Sequence, residues 1–335
     1  MDRRAFMGAT AANLFAVPLA ASTLLTVASA RTQVRTGTAH IGYLLAGTLA
    51  GYETRIDALR DGLRDRGWVE GKNLVIEWRF ADGKYERLPG FAAELVRLKM
   101  DVLVTSGTPA TLALKEATST IPIVMAAISD PVASGVVTSL ARPNGNITGT
   151  TYFAHELVAK RLEMLRETLP KMRRTALLIN PGNISMRTTL GNIETVTKTL
   201  QIEVRSFEVS RPEEFERTFV LMKAWGADAV VVVDDSMLNT NGARIGATAT
   251  AGRIASNGNI ALATGGGLMG YHVNQEAMYR RAAYFIDRIL KGDKPSELPI
   301  EQPTTFELAL NKKSAQALGV TFPPSLLLRA DEVIQ

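Results

Sequence analysis

Cysteine is absent from all 335 residues. That removes disulfide scaffolds and zinc–thiolate sites at once. Histidine is scarce: His40, His155 and His272 stand far apart, without metal-ligand spacing, and each reads as a packed or surface residue. No metal or cofactor site follows from them. No G-x-S-x-G, Walker A or H-E-x-x-H motif occurs, and no nucleophile–base pair can be argued. A strong charge of one sign is also missing. The net charge of +5 is spread along the chain, and its densest basic run, Lys171, Arg173 and Arg174, reads as a solvated turn. Nucleic acid is therefore not an expected partner.

Long apolar runs are lacking beyond the first thirty residues. Those thirty open with Arg3-Arg4-Ala5-Phe6-Met7, continue as an Ala/Leu/Val stretch and end in Ala28-Ser29-Ala30. This is the order of a charged region, an apolar region and a cleavage site, and the paired arginines resemble a twin-arginine export signal. Pro18 and Asn13 interrupt the stretch, against the roughly 18 clean apolar residues that a membrane span wants. The expectation is an export signal over 1–30 and a soluble mature protein, periplasmic in a Gram-negative cell.

What is present is a hydrophobic fraction of 46%, sufficient for real cores in a chain long enough for two domains. From His40, β-branched runs alternate with amphipathic stretches. Strands are predicted at His40–Leu45, Leu74–Phe80, Val102–Thr105, Ile123–Ala126 and Ile147–Tyr152, with helices between them, including a short one over Pro131–Leu140. The pattern then restarts with a helix at Leu157–Leu169 and strands at Thr175–Ile179, Val204–Val209, Ala229–Val233 and Ile260–Ala263. A helix over Ala243–Ser256 precedes the last of these. A strong helix at Gln275–Leu290, an extended Leu298–Leu310 and a last helix at Lys313–Leu318 follow. Repeated βα units imply an α/β fold of two doubly wound parallel-sheet lobes.

Ligands of such sheets bind beyond the carboxyl ends of the strands. Four strand ends share one grammar. Thr108-Pro109 follows one strand and Asp130-Pro131 the next, each a capping residue with proline at the first helical position. Asn180-Pro181-Gly182-Asn183 and Asp234-Asp235-Ser236 stand at matching places in the second unit. Each is either a plain cap or part of an anion site. Asp234 and Asp235 read as partners for a ligand amine, as acid/base groups, or as an ordinary strand-end turn. Gly265 through Gly270 matches G-x-G-x-x-G, but Tyr271-His272-Val273 continues as extended chain where a dinucleotide site needs a helix.

Several segments carry a more specific likeness. They are Gly67-Trp68-Val69-Glu70-Gly71-Lys72-Asn73, Ser106-Gly107-Thr108-Pro109-Ala110, Asp130-Pro131-Val132, Leu140 through Gly149, Asn180 through Asn183, Ile289-Leu290-Lys291-Gly292 and Leu328 through Ile334. Together they resemble, over His40 to Gln335, the substrate-binding proteins of ABC importers, in the family that includes tryptophan-binding proteins. The resemblance implies a type I periplasmic binding fold with a three-crossover hinge. Its lobes would be 38–150 plus 274–300 and 151–273 plus 301–335. It points to Gly47, Thr48, Thr108, Ser129, Asp130, Asn180, Asn183 and Asp235 as ligand-binding residues. It implies a small-molecule ligand, an amino acid or a carboxylate, trapped by hinge closure. The implied partners are an ABC permease and ATPase complex, with the chain itself a monomer and no cofactor. Tyr43, Phe153 or Tyr271 would offer stacking surfaces. The loop near Thr264-Gly265 is shorter than the family's, which puts one ligand contact in question. The rival expectation is an α/β enzyme using Asp130 and Asp235.

Overall fold

The computed structural model describes residues 37–335 apart from Asn144, so the expected export signal lies outside the described residues. The first sheet holds β1 (Ala39–Leu45), β2 (Leu74–Phe80), β3 (Val102–Ser106), β4 (Ile123–Ser129) and β5 (Ile147–Tyr152), in the order β2-β1-β3-β4-β5. All its pairs are parallel. Every residue of β3 and of β4 is buried. This is why they read as unbroken apolar runs: helices cover both faces of the sheet.

The second sheet holds β6 (Arg174–Ile179), β7 (Glu203–Glu208), β8 (Ala229–Val232), β9 (Ala255–Gly258), β10 (Met269–Val273), β11 (Phe306–Asn311) and β12 (Glu332–Ile334). Its order is β12-β11-β10-β9-β8-β6-β7. One pair departs from the expected parallel arrangement: β10 and β11 run antiparallel.

The chain passes between the sheets three times, after β5, after β10 and on the way into β11. The helix Gln275–Leu290 belongs with the first sheet. Its Met278, Tyr279, Phe285 and Ile286 share a core with Ile56, Leu59 and Leu63 of the helix Glu53–Arg64. The two helices approach so closely that a Cβ at Gly62 would lie 2.7 Å from the Arg280 carbonyl oxygen. The returning segment lies along β5, where Thr151 N–H donates to Glu301 O and Glu301 N–H donates to Gly149 O. Gly149 has φ +135°, and a Cβ there would lie 2.1 Å from the Met125 carbonyl oxygen, so this irregular stretch of β5 accepts only glycine.

Four local expectations are corrected. Ile260–Ala263 is not a strand but the start of a helix, Ile260–Thr264, initiated by Asn259, whose side chain accepts from Leu262 N–H. The helix expected over Ala243–Ser256 spans Gly242–Ala251, and its last residues join β9. Residues 131–140 form turns with no helix, because the Asp130 carboxylate caps only Ala133 N–H at φ +36°. Lys312–Leu318 is not the last helix, since Pro324–Arg329 follows it.

Candidate functional site

The carboxyl ends of β3, β4, β6 and β8 meet across one cleft. From the first lobe it is lined by Tyr52, Ser106, Gly107, Thr108 and Ser129. From the second it is lined by Asn183, Ser185, Asp234, Asp235, Ser236 and Asn239, and Tyr152 and Gln275 stand where the chain crosses between the lobes. The free volume is about 20 Å³, close to that of one water molecule.

Asp235 is the centre of this site. It is buried and starts the short helix Ser236–Thr240, with Oδ1 accepting from Met237 N–H at 3.0 Å and Leu238 N–H at 3.3 Å. Asn180 Nδ2 donates to the same oxygen at 3.2 Å, and Asn183 Nδ2 donates to Oδ2 at 3.0 Å. The fifth donor comes from the other lobe: Tyr85 Oη lies 2.6 Å from Oδ2. Burial raises the Tyr85 phenol well above its usual range, and the Asp235 charge raises it further, so Tyr85 is held as a protonated donor. The two asparagines are themselves fixed by the turn after β6. Asn180 Oδ1 accepts from Gly182 N–H at 3.0 Å, and Asn183 Oδ1 accepts from Ser185 N–H at 3.1 Å.

Asp234, one residue earlier, borders the same cleft but has different partners. Its carboxylate is fully buried against Arg161, with Arg161 Nη1 donating at 2.8 Å and Nη2 at 3.2 Å. His272 Nε2 lies 2.8 Å from Asp234 Oδ1, and His272 Nδ1 is 2.9 Å from the Val273 carbonyl oxygen. Arg161 also donates to the carbonyls of Val232 and Tyr271. Burial alone would raise the Asp234 carboxyl, but the Arg161 and His272 charges outweigh it and hold it well below the usual carboxylate range. This cluster ties β8 to β10 and to the helix Ala154–Thr168, and it is structural.

On the first-lobe side, Gly107 with φ +82° precedes the helix Thr108–Ala117. Gly107, not Thr108, is the cap, and the Thr108 hydroxyl instead points at Ser129 O, 3.5 Å away. The first-lobe loops close on the helix Ser236–Thr240 through glycines. A Cβ at Gly51 would lie 2.6 Å from Thr240 Cγ2, one at Gly107 3.0 Å from Ser236 Oγ, and one at Gly83 3.5 Å from Met237 Cγ.

Thr108, Ser129, Asn183 and Asp235 thus line the cleft, and Asn180 holds Asp235. Gly47 sits just outside, against Tyr52 and Thr240. The Thr48 hydroxyl accepts from Gly51 N–H within its own loop. Asp130 is not among the lining residues; its carboxylate caps the turn at Ala133. The geometry therefore does not bring Asp130 and Asp235 together as an acid/base pair. Tyr43 is fully buried in the first-lobe core. Phe153 and Tyr271 face a separate hollow of about 350 Å³ at the hinge, with Lys160 and Phe306. Tyr52, Tyr85, Tyr152 and Gln275 were not singled out from the sequence, and no motif marks them.

Comparison with known proteins agrees with this architecture. A family model described as ABC transporter substrate binding protein matches residues 50–334. A tyrosine-binding protein from Clostridioides difficile (strain R20291) is 24% identical over 262 residues, covering 77% of this chain and 74% of the relative. Among solved structures, an ABC domain in complex with L-Trp from Streptococcus pneumoniae superposes with a TM-score of 0.82 at 25% identity, covering 89% of this chain and all of that one. The ligand-free, open structure of a substrate-binding protein from Clostridium difficile superposes at 0.63, with 22% identity over 89% of this chain and 100% of that one.

Proposed function

The chain belongs to the ABC transporter substrate-binding protein family, and from that premise we propose that it captures an amino acid between its lobes and hands it, unaltered, to a membrane permease. The observation that carries this reading is Asp235. A carboxylate buried at the mouth of β8, oriented by two asparagines and two backbone amides, is a ready acceptor for a ligand ammonium. Across the cleft stand the hydroxyls of Ser106, Thr108 and Ser129 and the first turn of the helix Thr108–Ala117, where free N–H groups favour a carboxylate. One acceptor and one anion-favouring end, on opposite lobes, suit a zwitterion and give its binding a reason to close the hinge. The L-Trp complex and the tyrosine-binding relative point to the same ligand class.

The remaining parts of the reading are an exported, periplasmic location, delivery to an ABC permease and ATPase complex, and a monomeric receptor. Among the described residues no helix is long and apolar enough to cross a membrane.

The test is calorimetric titration with L-tryptophan, L-tyrosine and a neutral sugar, on the wild type and on Asp235→Asn. An amino acid is expected to bind and the sugar not, and Asn is expected to weaken binding by about tenfold or more, the ordinary worth of a hydrogen bond to a charged group. Binding of sugars alone, or conversion of the ligand, would overturn the proposal.

A further inference from the structure

The hollow at the hinge measures about 350 Å³, within the range of about 300–1,000 Å³ usual for small-molecule pockets. Each of the three passages between the sheets supplies part of its wall. Tyr152 and Phe153 come from the first, Tyr271 and Val273 from the strand that leads into the second, and Pro303 and Phe306 from the third. Tyr152 lines the cleft as well, so the two spaces share one wall.

Two surfaces build the hollow. The first is aromatic. Antiparallel pairing sets Tyr271 opposite Leu308 and Val273 opposite Phe306, which makes Tyr271 and Phe306 diagonal neighbours on one face of the sheet. Their rings lie 5.7 Å apart and 10° from parallel, and Phe306 keeps 44% of its surface exposed. The second surface is the stripe Phe153, Glu156, Leu157 and Lys160, the spacing of one face at the start of the helix Ala154–Thr168. Its two charges differ. Lys160 is paired with Glu163 at 2.8 Å. Glu156 is exposed and has no ion-pair partner among the described residues. The hollow therefore offers ring faces beside one uncompensated carboxylate.

We propose that this hollow is a second small-molecule site, for an aromatic ring that carries an amine cation. Tyr271 and Phe306 take the ring by stacking, and Glu156 takes the ammonium, which the ring faces also attract. A ligand seated there touches all three passages at once. It favours the lobe arrangement in which the walls stand at this spacing, so it acts on the hinge from outside the cleft. The inference is independent of the reading of Asp235.

The experiment uses tryptamine on the full chain, followed by ligand-observed NMR, with indole-3-acetate and cyclohexylamine as probes that lack the cation and the aromatic ring. Tryptamine is expected to bind and the other two not. Phe306→Ala is expected to weaken it by about tenfold, the worth of one stacked, half-buried ring. Glu156→Gln is expected to weaken it by about threefold, as for an exposed ion pair. Hydrogen exchange is expected to slow over 271–273 and 302–306, with binding retained in Asp235→Asn. No binding of tryptamine overturns the proposal, as does equal binding of either control probe. Binding lost with Asp235→Asn and kept with Phe306→Ala places the amine in the cleft and also overturns it. Titration of L-tryptophan against Asp235→Asn tests the cleft alone, so either reading can fall while the other stands.

Discussion

Asp234→Asn is the substitution whose outcome the structure specifies most closely. Arg161 and Asp234 are both 0% exposed in their side chains. Asparagine is nearly isosteric, so packing is retained and the perturbation is electrostatic. It leaves a guanidinium buried in the second lobe with no counter-charge, facing only neutral acceptors: the asparagine amide oxygen and the carbonyls of Val232 and Tyr271. Breaking one side of a buried ion pair costs about 3–5 kcal/mol. Arg161→Met removes the other side. It strands Asp234 with His272 alone and frees two carbonyl oxygens, at about 1–3 kcal/mol for each that stays unsatisfied. The double variant carries neither charge, so its loss is expected to fall short of the sum by about 2 kcal/mol or more, the range of coupling seen for residues in one network.

Urea unfolding is the assay, and the tryptophans separate the lobes: Trp68 and Trp78 pack on the first-lobe core, Trp225 on the second. A protein with Trp68 and Trp78 replaced by phenylalanine reports the second lobe alone. The midpoint should shift while the slope stays constant. The same pair sets an acid limit. A folded-state carboxyl held below its unfolded value contributes stability in full above the ordinary carboxylate range, and loses it progressively as pH falls from that range down to its own lower value. Asp234→Asn should flatten this acid slope. A loss under about 1 kcal/mol for Asp234→Asn, or strict additivity in the double variant, would refute the reasoning.

Two further outcomes follow from packing and burial. Gly51→Val is expected to keep the fold but hold the lobes apart, since its Cβ would already meet Thr240 Cγ2 at 2.6 Å; unchanged scattering and unchanged amino-acid affinity would contradict this. Burial raises the phenols of Tyr43, Tyr52, Tyr85, Tyr152 and Tyr279, so stability is full below the ordinary tyrosine range and falls as pH rises through about 10, where the unfolded chain ionises. Tyrosinate absorbance from these groups should appear together with loss of helical circular dichroism, and a smooth titration in the intact fold would exclude it.

The sequence shows its sheets because buried parallel strands leave a local trace. Val102–Ser106 and Ile123–Ser129 are unbroken runs because no face of them meets water. The same trace misleads at Ile260–Ala263, where a short apolar run fits strand or helix equally and the deciding feature is one capping asparagine, Asn259. Residues 131–140 mislead in reverse: a cap and a proline were present, but the backbone at Asp130 turns left-handed and no helix starts.

The site divides in the same way. Asn180, Asn183, Thr108 and Ser129 are legible because each sits at a strand end, where topology alone directs residues to the cleft. Tyr85 is not, because its role exists only when two lobes meet, and 150 residues separate it from Asp235. The neighbouring aspartates show why the type of residue is not enough. Both border the cleft, but Asp234 is held by Arg161 and His272, whereas Asp235 is held by Asn180, Asn183 and Tyr85. Nothing in the pair Asp-Asp says which is which. The partner does: an arginine on the core-facing side of the helix Ala154–Thr168 demands a buried carboxylate, and only one of the two can supply it. The carboxylate left over is oriented, buried and open to an exchangeable partner, and that is the condition a binding site requires.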